Sequence, residues 1–469
     1  MTDLCTMTVH ELAGLIRSRE VSAVEVTRNQ IELIDALDSA LHAFITVRPE
    51  QALADAHAAE KEISRGFYRG PLHGIPLGIK DNIAVSGWPT TSGSSLMSDH
   101  VTDYDATVVK RLRQAGAVIV GKNNMHEWAM GGTSAHGPFG TVHNPWDQSR
   151  VVGGSSGGSA AAVSASLIYG SVGTDGKGSI RIPASYCGVV GLKPTYGLVS
   201  RFGELPSTSA THDHLGPIAK DVTDAATLLN VLAGYDPEDP TSIPSTPRDY
   251  TEGLDRAVKG LRLGVPQNFF FEQAQPEVRE LVLKATRTLA SLGAVVHEVR
   301  IPSLRYLSFM DAAIVNESRT FLLPFARRGP EAFADRTIWE KVIISQFVRA
   351  ADTMKAARVR NLIRKEFMET MEKVDILAMP TNICPAFPIE PKSNLTDNTT
   401  LTFPFNLVGI PAISLPCGFT SEGLPVGLML AGRHWEDDVV LRTAYAYEQA
   451  ATGGYLVPPV VKEASGQPQ

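Results

Sequence analysis

The sequence predicts an α/β fold with a mixed, mostly parallel central sheet and helices on both faces. Two observations carry this. From Leu72 onward short apolar runs alternate with helical patterns, the texture of strands joined by helices. The 469 residues, 43% hydrophobic and 20% charged, also provide a core large enough to cover such a sheet on both sides.

Two helix starts open the chain. Thr8-x-x-Glu11 and Ser22-x-x-Glu25 fit the capping box, in which side chain and backbone satisfy each other's donors. Apolar residues follow at helical spacing: Leu12, Leu15 and Ile16, then Val26, Ile31, Leu33 and Ile34. A polar, alanine-rich helix is expected over 50–65. Beyond Leu72, strands are expected at 75–79, 117–120, 189–192 and 198–199. Helices are expected at 106–115, with Lys110 and Arg113 outward, at 159–167 and at 221–232. The stretch 236–248 holds four prolines and reads as a linker or a long surface loop. Further on, 275–295 and 335–372 are helical by pattern, and strands are expected at 375–379, at 412–415 and after the turn at Gly423. A last helix covers 439–448, and 464–469 reads as a disordered tail. No internal repeat is evident.

Charge and composition narrow the function classes. The net charge is −7, with no long basic block, which argues against nucleic acid or an anionic membrane as the main partner. The N-terminus lacks a basic segment followed by an apolar one, and no run is long enough to span a bilayer. Cys5, Cys187, Cys384 and Cys417 are scattered without Cys-x-x-Cys spacing, as buried thiols of a cytoplasmic protein would be.

Three residues stand at the edges of glycine-rich runs. Lys80 closes Gly74-Ile75-Pro76-Leu77-Gly78-Ile79. Ser155 lies inside Gly153-Gly154-Ser155-Ser156-Gly157-Gly158-Ser159, and Ser179 follows Gly173-Thr174-Asp175-Gly176-Lys177-Gly178. A lysine amine can serve as base to a serine hydroxyl, and a glycine-rich turn exposes N–H groups that can hold an oxyanion. Together they read as an acyl-transfer site without a catalytic histidine.

Competing patterns are weaker. Gly153-x-Ser155-x-Gly157 fits the nucleophile elbow of an α/β-hydrolase-type serine esterase, but only Val151-Val152 precede it where an apolar strand is needed. Gly176-Lys177-Gly178-Ser179 faintly suggests a phosphate loop, yet position 171 is serine where the first glycine belongs. His212-Asp213-His214 offers metal ligands without a third cluster nearby, and His126-Glu127 lacks the second histidine of a metalloprotease helix. No metal and no cofactor are expected.

The Gly-Gly-Ser-Ser-Gly-Gly-Ser block, followed by Gly-Thr-Asp-x-x-Gly-Ser-Ile-Arg with its serine 24 residues after Ser155, resembles the amidase signature family. Gly74–Asn82 agrees, as do the runs 187–195 and 409–414. The match is dense over 70–230, returns near 375–450 and is thin over 240–370. The resemblance implies one amidase domain over 1–469: N-terminal helices at 1–65, a catalytic core at 66–235, a mostly helical substrate-shaping region at 236–372, the rest of the core at 373–460 and a tail at 461–469.

It also implies a Ser–cis-Ser–Lys triad. Ser179 would be the nucleophile, Ser155 a bridging serine after a cis bond from Gly154, and Lys80 the base, its charged form disfavoured by burial. The plain alternative for Lys80 is a surface lysine that snorkels to water. Backbone N–H groups of Gly176, Lys177, Gly178 and Ser179 would hold the oxyanion. Ser156, Asp175 and Arg181 would brace the loop, and Met130, Gly131, Gly132 and Thr133 would wall the acyl pocket. Trp128 and Met130 equally suit a plain core.

Lys177 departs from the family, which usually has glycine there. It is either strained at positive φ, at the pocket mouth selecting anionic substrates, or in solvent.

The implied activity is hydrolysis of a small-molecule amide, with carbamate or ester within reach, and a homodimer is the assembly to test. A related reading is the A subunit of glutamyl-tRNA amidotransferase. That protein carries an Arg-Arg-Ile-x-x-Gly run and an Asp-Ile-Phe-Thr run, where this chain has Trp339-Glu340-Lys341-Val342-Ile343-Ile344 and Thr399-Thr400-Leu401-Thr402. A non-catalytic binding protein on the same scaffold is disfavoured, because all three triad positions are filled.

Overall fold

The computed structural model describes residues 4–205, 211–390, 398–451 and 453–465. Its strands are β1 (Phe44–Val47), β2 (Pro76–Lys80), β3 (Val118–Asn123), β4 (Gly170–Thr174), β5 (Val190–Lys193), β6 (Leu215–Ala219), β7 (Arg262–Pro266), β8 (Val295–Val299), β9 (Ile376–Pro380), β10 (Ala412–Phe419) and β11 (Pro425–Ala431). They form one sheet in the order β1-β3-β2-β4-β6-β5-β10-β11-β9-β7-β8.

The helices are α1 (Val9–Ser18), α2 (Ala23–Leu41), α3 (Pro49–Ser64), α4 (Thr107–Gln114), α5 (Gly157–Ser164), α6 (Arg181–Cys187), α7 (Val222–Leu232), α8 (Phe270–Gln273), α9 (Pro276–Ser291), α10 (Phe309–Ala326), α11 (Arg336–Ser345), α12 (Ala350–Met371), α13 (Phe403–Val408), α14 (Asp437–Ala451) and α15 (Pro459–Ser465).

The α/β layering follows the sequence pattern, but the sheet is not mostly parallel. Only β2–β3, β2–β4, β7–β8 and β7–β9 pair in parallel, and the other six pairings are antiparallel. The centre departs because β10 and β11 form a hairpin, turned at Gly423, that inserts next to β5 and β9. A hairpin is antiparallel by construction, whereas helical crossovers give parallel neighbours.

The first capping box forms in full, and the second only in its Ser22 half. Thr8 Oγ1 accepts from the Glu11 amide while the Glu11 carboxylate accepts from the Thr8 amide at 2.8 Å. Ser22 accepts from the Glu25 amide at 3.0 Å. The expected strand at 198–199 is absent: Leu198 lies in a turn, and Val199 makes an isolated bridge to Ala233. The stretch 236–248 is a tethered surface loop, not a linker. Its Asp236 carboxylate accepts from Thr107 Oγ1 and Ser200 Oγ, each at 2.5 Å. Of the expected tail, Ala464 and Ser465 close α15, while 466–469 lie outside the described residues.

Helices cover both faces of the sheet. On one, α4, α7, α9 and α14 share a core with the strands, centred on residues such as Leu112, Leu228, Leu289 and Leu441. On the other, α5 and α6 lie against the central strands, and α5 is nearly all Gly, Ser and Ala for want of space. A β-carbon on Gly158 would press on the backbone of Asn124 and Ala43. Alongside, α10, α11 and α12 form a helical layer whose inner residues Ile314, Ile363 and Phe367 are buried. The region that shapes this layer is not wholly helical, since it also contributes β7 and β8 to the sheet edge.

Candidate active site

Two parallel neighbours, β2 and β4, end side by side, and this positions Lys80. Lys80 is the last residue of β2 and Thr174 the last of β4. Every residue of both strands is buried, so the Lys80 side chain cannot snorkel to water. Its Nζ donates to Ser155 Oγ and to Thr174 Oγ1, each at 2.7 Å. Burial lowers its pKa to about 8, against the opposing pull of Asp213, Glu204 and Asp175.

Ser155 stands just before α5, and the Gly154–Ser155 peptide bond is cis. Gly154 is required by close approach: a β-carbon there would lie 2.8 Å from the Gly131 carbonyl oxygen. Only isolated bridges at Arg150 and Val151 precede this turn, so no strand leads into it as a nucleophile elbow needs. Ser155 is fully buried against Lys80.

Ser179, in the turn before α6, is 8% exposed and lines an open cavity of about 360 Å³ together with Ser155 and Thr174. Its hydroxyl makes no hydrogen bond to another described residue.

The loop carrying Ser179 is held by a buried ion pair. Asp175 accepts from Arg181 Nη2 at 2.9 Å and Nε at 3.0 Å, and from Asn406 Nδ2 at 2.8 Å. Burial alone would raise the Asp175 carboxyl, but the Arg181 guanidinium and the Asn406 amide outweigh it and hold the group well below the usual carboxylate range. Arg181 also donates to the Thr402 carbonyl at 3.0 Å and to Asn406 Oδ1 at 2.7 Å. Ser156 ties the two loops together: its amide donates to the Ser179 carbonyl at 3.1 Å and its hydroxyl to the Thr174 carbonyl at 3.1 Å.

The expected set of oxyanion donors narrows. The Gly178 amide donates to Asp175 Oδ1 at 2.7 Å, so it is already committed. Those of Gly176, Lys177 and Ser179 donate to no other described residue. Gly178 is fixed instead by its φ of +121° and by the Thr402 hydroxyl, which a β-carbon would strike.

Lys177 is not at positive φ and carries no such strain. Its ammonium lies at the cavity wall, 2.7 Å from Asp311 Oδ1 on α10 and 4.6 Å from the centre of the Phe403 ring.

Met130, Gly131 and Gly132 line the Ser179 cavity, but Thr133 does not. It faces an adjoining space of about 60 Å³, next to His126 and Asp335. Trp128 is core, packed against Phe321 and Phe325 of α10. Sequence reasoning missed Thr174 as a partner of Lys80, Asn406 and Thr402 as holders of Arg181, and Asp311, Ser318 and Lys341 as cavity residues. Thr174 lies in the glycine-rich run before Ser179, and Asn406 just ahead of the run at 409–414. Their polarity in otherwise buried stretches is the signal that could have found them.

His212 and His214 do not converge on a shared site. His214 packs edge-on to Tyr196 and His212 against Phe403, and burial drives both pKa values down, that of His212 to about 3. Among the described residues no three His, Cys, Asp or Glu side chains gather as a metal site requires. The four cysteines are buried free thiols, and no described helix is long and apolar enough to cross a membrane.

A serine, a buried lysine and free amides around one cavity are the parts of an acyl-transfer hydrolase, and comparison with known proteins gives the family. The Amidase family profile matches residues 25–441, and the chain belongs to that family. It is 42% identical over 478 residues to the A subunit of the glutamyl-tRNA(Gln) amidotransferase from Moorella thermoacetica, covering 96% of this chain and 97% of that one. The crystal structure of the corresponding protein from Thermotoga maritima superposes with a TM-score of 0.83 at 35% identity, covering 98% of this chain and 99% of the other. The peptide amidase of Stenotrophomonas maltophilia superposes with a TM-score of 0.87 at 32% identity, covering 97% and 99%. The protein is an amide-hydrolysing enzyme of the amidase signature family.

Proposed function

We propose that this enzyme is a stand-alone amidohydrolase of small molecules, working through an acyl-enzyme on Ser179 with Ser155 and Lys80 as proton relay. The observation that carries this reading is the continuous contact from Lys80 Nζ to Ser155 Oγ at 2.7 Å, beside a Ser179 that opens on the same cavity. Neutral Lys80 takes the Ser155 proton as Ser155 takes that of Ser179, and Ser179 Oγ attacks the amide carbon. The oxyanion is held by the amides of Gly176, Lys177 and Ser179. As the C–N bond breaks, Lys80 returns the proton through Ser155 to the leaving nitrogen. Water then enters by the same relay, releases the acid and restores Ser179.

A cavity of about 360 Å³ suits a small substrate; small-molecule sites run from about 300 to 1,000 Å³. Carbamates and esters present the same carbonyl and fall within the same chemistry.

A second reading, the A subunit of a glutamyl-tRNA amidotransferase, is favoured by the 42% identity along nearly the whole chain. Against it, the two runs in which this sequence departs from that protein supply Lys341 and Thr399, and both line the cavity. The departures therefore fall where substrate is selected.

Purified enzyme assayed alone on a panel of amides, carbamates, esters and glutamine tests the proposal. Turnover of small amides without partners, exceeding that of glutamine, is expected. Activity confined to glutamine, or co-purification with partner subunits on which activity depends, would establish the second reading instead.

A further inference from the structure

A second cavity, of about 400 Å³, opens where α12 meets the C-terminal end of α13. Its wall includes Arg360, Arg364, Tyr196, His434 and Trp435 and, among the described residues, no acidic side chain.

Part of this wall has a structural duty. Arg360 Nε donates to the Leu407 carbonyl at 2.9 Å, and His434 Nε2 meets the Val408 carbonyl at 3.1 Å, capping the last carbonyls of α13. That duty uses one of Arg360's donors. Its terminal amino groups, and the whole Arg364 guanidinium, have no hydrogen-bond or ion-pair partner among the described residues. Glu317 exerts an acidic influence on Arg360, but its carboxylate accepts from the Thr211 amide and hydroxyl at 3.1 and 2.8 Å. Two guanidinium forks thus repel each other across a space with no counter-charge in its described wall.

The rings complete the chemistry. Trp435 is held at φ +66°, an uncommon backbone for a bulky residue, by its N–H bond to Thr195 Oγ1 at 3.0 Å. Burial holds the His434 pKa below its ordinary value, against the opposing pull of the Val408 hydrogen bond. With Tyr196 the cavity offers flat apolar faces beside charged planar donors, a combination that suits a planar ring bearing an acid group.

We infer that this cavity is a second ligand site, distinct from the Ser179 cavity, for a planar organic anion: an aryl or heteroaryl carboxylate or phosphate ester.

Calorimetric titration of the intact enzyme with phenyl phosphate tests this, with phenol and inorganic phosphate as controls. One saturable site is expected, tighter for phenyl phosphate than for either control and weakened by salt. Arg364→Gln should raise Kd about tenfold or more, the effect of losing a charge-assisted hydrogen bond. Arg364 is exposed and unpaired among the described residues, so this variant should fold normally; Arg360→Gln, which also uncaps α13, is the supporting test. Lys341→Gln, in the catalytic cavity, should leave phenyl phosphate binding unchanged. No saturable binding, or a Kd that responds to Lys341→Gln and not to Arg364→Gln, would overturn the inference. The readout is binding, so it stands or falls independently of the hydrolytic reading.

Discussion

Replacing Asp175 by Asn should destabilise the protein far more than a neutral amide in a buried loop normally would. The carboxylate is fully buried and takes both forks of Arg181, the Gly178 amide and the Asn406 side chain. The substitution keeps the shape but leaves the fully buried Arg181 guanidinium without a counter-charge, its other side-chain partners, the Thr402 carbonyl, Asn406 Oδ1 and Met429 Sδ, all being neutral. Breaking a buried pair from one side costs about 3–5 kcal/mol, because the survivor's charge is uncompensated. Equilibrium denaturation by urea should show that loss. Adding Arg181→Met should recover part of it, since removing both charges ends the penalty.

The pH dependence supplies a second arm. The folded Asp175 pKa is depressed below its unfolded value of about 3.9. The pair's stabilisation is therefore fully present above that unfolded value and is lost as pH falls through the folded one. The wild type should lose this increment in strong acid, and Asp175→Asn should not. A loss below about 1 kcal/mol, or a double variant worse than the sum of the singles, would refute the role given to the pair.

Two further outcomes are expected at the site itself. With Lys80 titrating at about 8, kcat/KM should rise about tenfold per pH unit below that value and level off above it, while Lys80→Ala should fold and be nearly inactive. A profile flat between about pH 5 and 8 would count against a lysine base. Lys177 is neutralised by Asp311, so the wild type should discriminate little for anionic acyl groups. Asp311→Asn should raise kcat/KM for such substrates about fivefold at low salt, with the gain lost at high salt and absent when Lys177→Gly is added. Equal rates for wild type and Asp311→Asn would show the ammonium to be a bystander.

The elements most legible in the sequence are those with a local cause. Thr8 and Ser22 announce their helices because a cap is written in four residues, and the run Pro76–Lys80 announces a strand because nearly all of it is apolar or small. The strands missed, such as β4 with its Gly-Ser-Val-Gly-Thr, are too poor in β-branched residues to be separated from loops. The antiparallel insertion of β10 and β11 is a matter of long-range pairing, which no window of sequence contains.

The same division holds at the site. Lys80, Ser155 and Ser179 stand out because glycine marks places where backbone must approach closely. Asp311 and Lys341 do not, because they reach the cavity from α10 and α11, where ordinary helical residues carry no mark of what they face. The commitment of the Gly178 amide to Asp175 likewise depends on how the turn folds back, not on the residues it contains.

The nucleophile is tested most directly by labelling the enzyme with a fluorophosphonate and mapping the adduct by peptide mass spectrometry. The adduct is expected on Ser179, which is open to the cavity, with labelling abolished in Ser179→Ala and strongly slowed in Ser155→Ala and Lys80→Ala. An adduct on Ser155 alone, or labelling that survives Ser179→Ala, would contradict the mechanism.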